Sequence, residues 1–159
     1  MVLLGATQPA AKEAVERLVK ELNFAFISGR WIGGLLTNFD NLSKRISHFK
    51  KIKEGLAKGE FAKYTKKERL NTEKDLERME KMFGGLENLT KLPDVIFMID
   101  PSFSGHDTAM AEARKCGIPI VAVIDSDDNP ESVNYPIPAN DHTKSSINWV
   151  VDKIMSKLK

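Results

Sequence analysis

Two stretches of this chain are too apolar to lie half in water and too short to cross a membrane. Val95-Ile96-Phe97-Met98-Ile99 is continuous, and residues 118–124 are broken only by Pro119. A strand with one wet face alternates apolar and polar residues. An uninterrupted apolar strand is covered on both faces, the condition of a parallel sheet lying between helices. The opening of the chain repeats the theme. Val2-Leu3-Leu4 reads as a strand, and Pro9 suits a first helical turn, where its missing N–H costs nothing. Ala11, Ala14, Val15, Leu18, Val19 and Leu22 then form one helical stripe, and Phe24-Ala25-Phe26-Ile27 makes a second strand. Such a βαβ unit joins parallel strands. The fold class is a three-layer α/β domain.

The middle of the chain departs from that rhythm. Thr37-Asn38-Phe39-Asp40 has the spacing of a helix start. Leu42, Ile46, Phe49 and Leu56 follow at nearly a seven-residue repeat, which Lys53 interrupts. Thr65-Lys66-Lys67-Glu68 is a capping box, its hydroxyl and carboxylate each able to satisfy an orphan backbone N–H. Leu76, Met79, Phe83 and Leu86 supply a returning stripe that Gly84-Gly85 stops or bends. The expected result is an antiparallel, coiled-coil-like helical hairpin inserted in the α/β core. Residues 38–91 form the arm; 1–37 and 92–159 form the core. Beyond the arm, the pattern predicts a short helix over 107–116, an edge strand at Tyr135-Pro136-Ile137, and a last helix capped by Asn140.

Composition narrows function mainly by exclusion. The single cysteine, Cys116, allows no internal disulfide, and His48, His106 and His142 offer no zinc-ligand spacing. No metal or cofactor is expected. The opening residues lack a basic region followed by a long apolar segment, so no secretory signal is expected, and no stretch is long enough to span a bilayer. Gly5-Ala6-Thr7-Gln8 carries neither phosphate-loop nor dinucleotide fingerprint, and no serine sits in a Gly-x-Ser-x-Gly elbow. No catalytic residue is assigned. The net charge is only +2, but residues 40–67 carry nine Lys/Arg against three Asp/Glu. One limb of the arm is basic.

Three features leave two readings each. Asp100 and Asp125 end apolar strands, where open parallel sheets bind ligands. They fit either a phosphate- or metal-binding enzyme or receiver domain, or simple turn caps. Lys44, Arg45, Lys50, Lys51, Lys53, Lys58, Lys63, Lys66 and Lys67 fit phosphate contacts on a thin arm, or an ordinary solvated helix face. Arg30 and Trp31, within Gly29-Arg30-Trp31-Ile32-Gly33-Gly34, fit RNA contact and stacking, or a wedge that holds the arm against the sheet.

Four motifs in order carry a resemblance over essentially the whole chain. Gly29-Arg30-Trp31-Ile32-Gly33-Gly34-Leu35-Leu36-Thr37-Asn38-Phe39 is the first, and Leu92-Pro93-Asp94-Val95-Ile96-Phe97-Met98-Ile99-Asp100 the second. The third runs from Gly117-Ile118-Pro119 to Ile124-Asp125, and the fourth is Tyr135-Pro136-Ile137-Pro138-Ala139-Asn140-Asp141. Together they resemble the bacterial-type ribosomal protein S-two family, the second protein of the small ribosomal subunit. The resemblance implies a flavodoxin-like sheet ordered 2-1-3-4-5 with a coiled-coil hairpin, and no catalysis. It implies binding to small-subunit rRNA between head and body, beside neighbouring ribosomal proteins that include the large mRNA-binding ribosomal protein S-one. A cytoplasmic, ribosomal location without membrane contact or homo-oligomer is expected, with bacterial and organellar sources both open. Gly29 and Gln8 stand where many relatives carry His and a basic residue, each change removing one expected RNA contact. Met1 aligns inside the family pattern, so the family's N-terminal region is expected to be missing.

Overall fold

The computed structural model describes residues 1–5, 8–27, 29–59, 61, 64–103 and 105–158. Five strands form one sheet: β1 (Val2–Gly5), β2 (Ala25–Ile27), β3 (Val95–Ile99), β4 (Ile120–Ile124) and β5 (Tyr135–Pro138). Their spatial order is β2-β1-β3-β4-β5, and every pair is parallel. Register runs straight across, with Leu4 opposite both Phe26 and Phe97, Ile96 opposite Ile120, and Val121 opposite Tyr135. The expected α/β class and strand order are observed. β5 lies at the edge, where Pro136 and Pro138 need no further partner for their missing N–H groups.

Period-two alternation sorts the strand side chains into two cores. Leu4, Phe97, Ile99 and Val123 face α1 (Lys12–Leu22) and α5 (Lys144–Leu158), meeting Val15, Leu18, Ile147 and Val151. Leu3, Ile27, Ile96, Met98, Ile120 and Ala122 face the other way, toward α4 (His106–Cys116). That second core also takes in Trp31, Leu35, Leu36, Leu42, Ile46, Phe49, Phe83 and Leu86. The bases of α2 (Phe39–Ala57) and α3 (Lys66–Phe83) are therefore packed over the sheet rather than hung from it. Full burial of Phe49 and Phe83 contributes about 1.5–3 kcal/mol each.

Local signals explain where the helices begin and end. Asn23, at φ 53°, closes α1 in the left-handed conformation and returns its N–H to the Val19 carbonyl. Thr65 forms the anticipated capping box with Glu68. Asn140 Oδ1 accepts from the backbone N–H groups of His142 and Thr143, just ahead of α5. The helix-start reading at Thr37 is corrected. α2 begins at Phe39 behind Asn38, which makes no side-chain cap, while the Thr37 N–H and hydroxyl turn to Glu112.

α3 gives way at Gly84 to a single 3₁₀ turn, Gly84–Leu86. This turn passes directly over β2. A Cβ on Gly85 would lie 2.2 Å from the Phe26 carbonyl oxygen and 2.9 Å from the Phe26 ring. The obstruction is backbone and cannot rotate away. Gly85→Ala is expected to cost about 1–3 kcal/mol in chemical denaturation. A midpoint equal to the parent's would show that the turn and β2 are not in this close contact.

Candidate nucleic-acid interface

The turn between β2 and α2 is built around a carboxylate from elsewhere in the chain. Glu112 on α4 is 6 % exposed, and its two oxygens face residues 31–37. Oε1 accepts from Gly34 N–H at 2.7 Å and Trp31 Nε1 at 3.3 Å. Oε2 accepts from Leu36 N–H at 2.9 Å and Thr37 N–H at 3.4 Å. Burial pushes the Glu112 carboxyl up, but the donors from Leu36, Gly34, Thr37 and Trp31 outweigh it and hold the group below its ordinary value. Gly34, at φ +84°, permits the turn that aims these N–H groups at one point. Sequence reasoning missed Glu112, because an acidic residue within His106–Cys116 looks like any other helix-surface glutamate.

Trp31 is only 5 % exposed, among the residues of the second core. Its ring lies among core side chains, a placement that suits a wedge better than a surface for stacking bases. Arg30 beside it is exposed. One residue of the pair faces the core and the other faces solvent.

The basic positions divide by helix face. In α2 the buried stripe is Leu42, Ile46 and Phe49. Lys51 lies two residues, or roughly 200°, from Phe49, and a seven-residue step nearly repeats that direction. Lys44, Lys51 and Lys58 thus lie along the side opposite the seam, and all three are exposed. Lys58 is 4.0 Å from Glu54 in an exposed pair of little energetic weight. Among the described residues, no carboxylate stands within ion-pair distance of Arg30, Lys44, Lys50, Lys51, Lys66 or Lys67. Lys63 lies outside the described residues.

Arg45 and Lys53 are committed to the seam. The Arg45 guanidinium sits 5.5 Å from the centre of the Phe83 ring. Lys53 Nζ bonds Glu87 at 2.6 Å and Glu80 at 3.2 Å, and also lies 5.4 Å from the Phe49 ring centre. Its hydrogen bond to Glu87 leads in raising its pKa. The lysine that interrupts the apolar repeat therefore ties α2 to α3 and to the turn beyond. At the far end of these helices, Tyr64 and Leu70 are exposed beside Lys66 and Arg69 around an open hollow of about 440 Å³.

A second polar cluster lies where the strands end. Gln8 Nε2 donates to Asp100 Oδ2 at 3.1 Å and meets His142 Nδ1 at 3.0 Å. In this pairing the amide N–H donates to the ring, and His142 Nε2 lies on the ring's other side. That Nε2 is 3.6 Å from Asp125 and 3.7 Å from Asp141. Asp100, at φ 59°, also takes the Ser102 hydroxyl, and its backbone carbonyl accepts from His106 Nδ1 at 2.6 Å. Asp100 and Asp125 do not share one ligand set among the described residues. Asp100, Asp141 and His142 have ligand atoms within 4.8 Å of one another, as do Asp125, Asp127 and His142, and either trio could hold a cation on spacing alone. Neither trio was visible in sequence, since residues 100 and 142 are far apart in the chain. Asp125 also serves its own turn, accepting from Asp127 N–H at 2.9 Å.

A parallel α/β domain carrying a helical pair, with unpartnered lysines on the outer side of that pair, is the class these features define. Comparison with known proteins makes it specific. The family model described as Ribosomal protein S2 matches residues 1–158, and this chain belongs to that family. It is similar to the small ribosomal subunit protein uS2 of Dehalococcoides mccartyi, 37 % identical over 153 residues that cover 96 % of this chain and 62 % of that protein. The protein of the same name from Geotalea uraniireducens is 36 % identical over 153 residues, with 96 % and 59 % coverage. That of Dictyoglomus thermophilum is 38 % identical over 152 residues, with 96 % and 61 % coverage. The chain thus spans about three-fifths of the length of the curated relatives it matches.

Asp141 gives the strand-end cluster a pH signature. Its side chain is 1 % exposed, and burial, followed by the charges of Asp100, Asp125 and Asp128, pushes its pKa from 3.8 up to about 7 against the opposing His142. Between those values the folded chain keeps a proton that the unfolded chain releases. Stability from this group therefore falls as pH rises from about 4 to about 7. Buried His106 works in the opposite sense, because burial lowers its pKa and stability is regained as pH rises through the ordinary histidine range. The difference between Asp141→Asn and the parent isolates the first effect. Urea midpoints with chelator present should show the variant gaining on the parent from pH 5 to pH 8. Parallel curves would mean that Asp141 ionises as an ordinary exposed carboxyl.

Proposed function

We propose that this chain is a structural, non-catalytic component of the small ribosomal subunit that binds small-subunit rRNA and supports translation. The observation that carries this reading is the outward row Lys44, Lys51 and Lys58, of which only Lys58 has a carboxylate nearby, in an exposed pair with Glu54, together with Arg30, Lys50, Lys66 and Lys67, which have no carboxylate within ion-pair distance among the described residues. Membership of the ribosomal protein S2 family supports RNA as the partner of that surface. Such lysines neutralise backbone phosphates, and each phosphate neutralised releases cations condensed on the nucleic acid. Such contacts position a protein on RNA without reading sequence.

In this reading residues 38–91 act as an antiparallel coiled-coil arm on a flavodoxin-like core formed by 1–37 and 92–159. Arg30, Lys44, Lys50, Lys51, Lys58, Lys66 and Lys67, with Lys63, are the phosphate contacts. Arg45 and Lys53 contribute through the seam, where they hold the two limbs together, and Trp31 holds the turn from inside. Neighbouring small-subunit proteins, including the large mRNA-binding ribosomal protein S-one, are the protein partners, and the site of action is the ribosome in the cytoplasm. The rival, a phosphate- or metal-dependent enzyme using Asp100 and Asp125, is disfavoured by the separation of those two carboxylates into different ligand groups.

Sedimentation of tagged chain in cell lysate tests the assignment directly. It should travel with the small subunit at low salt and leave it progressively as salt rises. In purified form, reversing Lys44, Lys51, Lys66 and Lys67 to Glu should make the slope of log K against log salt for small-subunit rRNA shallower by roughly 3–4. An unchanged slope in a folded variant would remove the arm from the interface.

A further inference from the structure

We propose that Glu112 is the positioning residue of the RNA-binding surface: by clamping residues 31–37 it sets the direction in which α2 leaves the sheet. The inference rests on the rRNA-binding reading for its consequence, though not for its geometry. Three observations carry it. The first is that Glu112 is a buried carboxylate whose partners are N–H donors rather than a cation. Its oxygens take Gly34, Leu36 and Thr37 N–H and Trp31 Nε1, with Thr37 Oγ1 at 3.5 Å. A carboxylate in this position accepts only, and every donor it uses lies on one seven-residue turn.

The second observation concerns where that turn leads. It runs into α2 without a break, since Asn38 already accepts the Leu42 N–H of the first helical turn on its backbone carbonyl. Glu112 rides on α4, which follows β3. β2 and β3 lie on opposite sides of β1, so one side chain links parts of the chain that flank β1. Fixing the turn to α4 therefore references the start of α2 to the body of the sheet rather than to β2 alone.

The third observation is that, among the described residues, the turn's other backbone hydrogen bonds are internal to it: Leu35 N–H to the Ile32 carbonyl and Asn38 N–H to the Gly34 carbonyl, neither of which ties it to the sheet or to α4. Leu35 and Leu36 are buried and hold it down, but apolar contact is non-directional and tolerates sliding. Hydrogen bonds to a fixed carboxylate do not. Without them, four donors that now point inward must find water, and the turn must open to admit it. Arg30 and the row Lys44, Lys51 and Lys58 would then no longer present one fixed surface.

The test separates clamping from mere packing. Glu112→Gln fills the same volume but turns an amide N–H₂ toward backbone N–H groups, so a packing role predicts rescue and a clamping role predicts failure. In the full chain with Cys116→Ala, spin labels at Asn71→Cys on α3 and Ser145→Cys on α5 report arm against core. The parent should give one narrow distance distribution; Glu112→Gln and Glu112→Ala should both broaden or shift it. Trp31→Phe, which removes one donor only, should do so to a smaller degree and keeps the question decidable if the Glu112 variants do not fold. Binding to small-subunit rRNA at about 0.1 M salt should weaken about tenfold or more in Glu112→Gln, the consequence of losing even one phosphate contact. A Gln variant with parent-like distances overturns the clamp. Shifted distances with parent-like RNA binding overturn the positioning role. If the parent itself fails to bind rRNA, the functional reading falls, while the distances still decide the clamp.

Discussion

A buried glutamate without a cation is the interaction on which this architecture turns. Desolvating a carboxylate is expensive, and leaving it without partners is more expensive still. Glu112 escapes that cost because residues 31–37 surround it with N–H donors, to the extent that its pKa stays below the ordinary value despite burial. The dependence is mutual. Those same N–H groups belong to a turn with no strand or helix partner of its own, and each would otherwise be an unsatisfied donor at the edge of the core. One carboxylate and one irregular turn solve each other's solvation problem.

With the turn held, the rest of that face follows by packing. Trp31, Leu35 and Leu36 extend the sheet's apolar surface, and Leu42, Ile46 and Phe49 continue it along α2 to meet Phe83 and Leu86. The seam closes with charge rather than with another apolar residue, since Lys53 reaches Glu80 and Glu87 while its stem lies against Phe49. A lysine in a heptad-like stripe costs stability in a long coiled coil, but here it fixes register between three segments. The division of labour among the basic residues comes from this geometry. Those at the seam are spent on internal contacts, and those on the far side remain available to a polyanion.

The strand-end cluster has a different origin. In a parallel sheet every strand ends on the same side, so the residues that follow β1, β3, β4 and β5 converge there whatever their purpose. Gln8, Asp100, Asp125, Asp141 and His142 meet for that reason, and the convergence leaves the Asp141 and Gln8 side chains each with a buried oxygen lacking a hydrogen bond among the described residues. Like charges crowd a buried carboxyl, and the raised pKa of Asp141 is the direct result. The chain thus presents two polar centres on one sheet, one that neutralises a single charge with N–H donors and one that concentrates several charges.

Period and punctuation in the sequence by themselves determined the layers. Uninterrupted runs at 95–99 and 120–124 demanded cover on both faces, the stripe on α1 supplied part of it, and the capping box at Thr65 and the glycines at 84–85 marked the ends of α3. These features are local, so a single chain segment holds all the information needed to read them. The same was true of the surplus of lysine between residues 40 and 67. What only the tertiary structure decided is which of those lysines look outward, that Trp31 looks inward, that Thr37 serves Glu112 rather than capping a helix, and that His142 joins Asp100 and Asp141. Each of these depends on a partner about 40 to 80 positions away or on the roll of a helix about its own axis. Hydrophobic pattern constrains that roll only to a stripe; the final degrees come from contacts between distant segments, and no spacing within one segment encodes them.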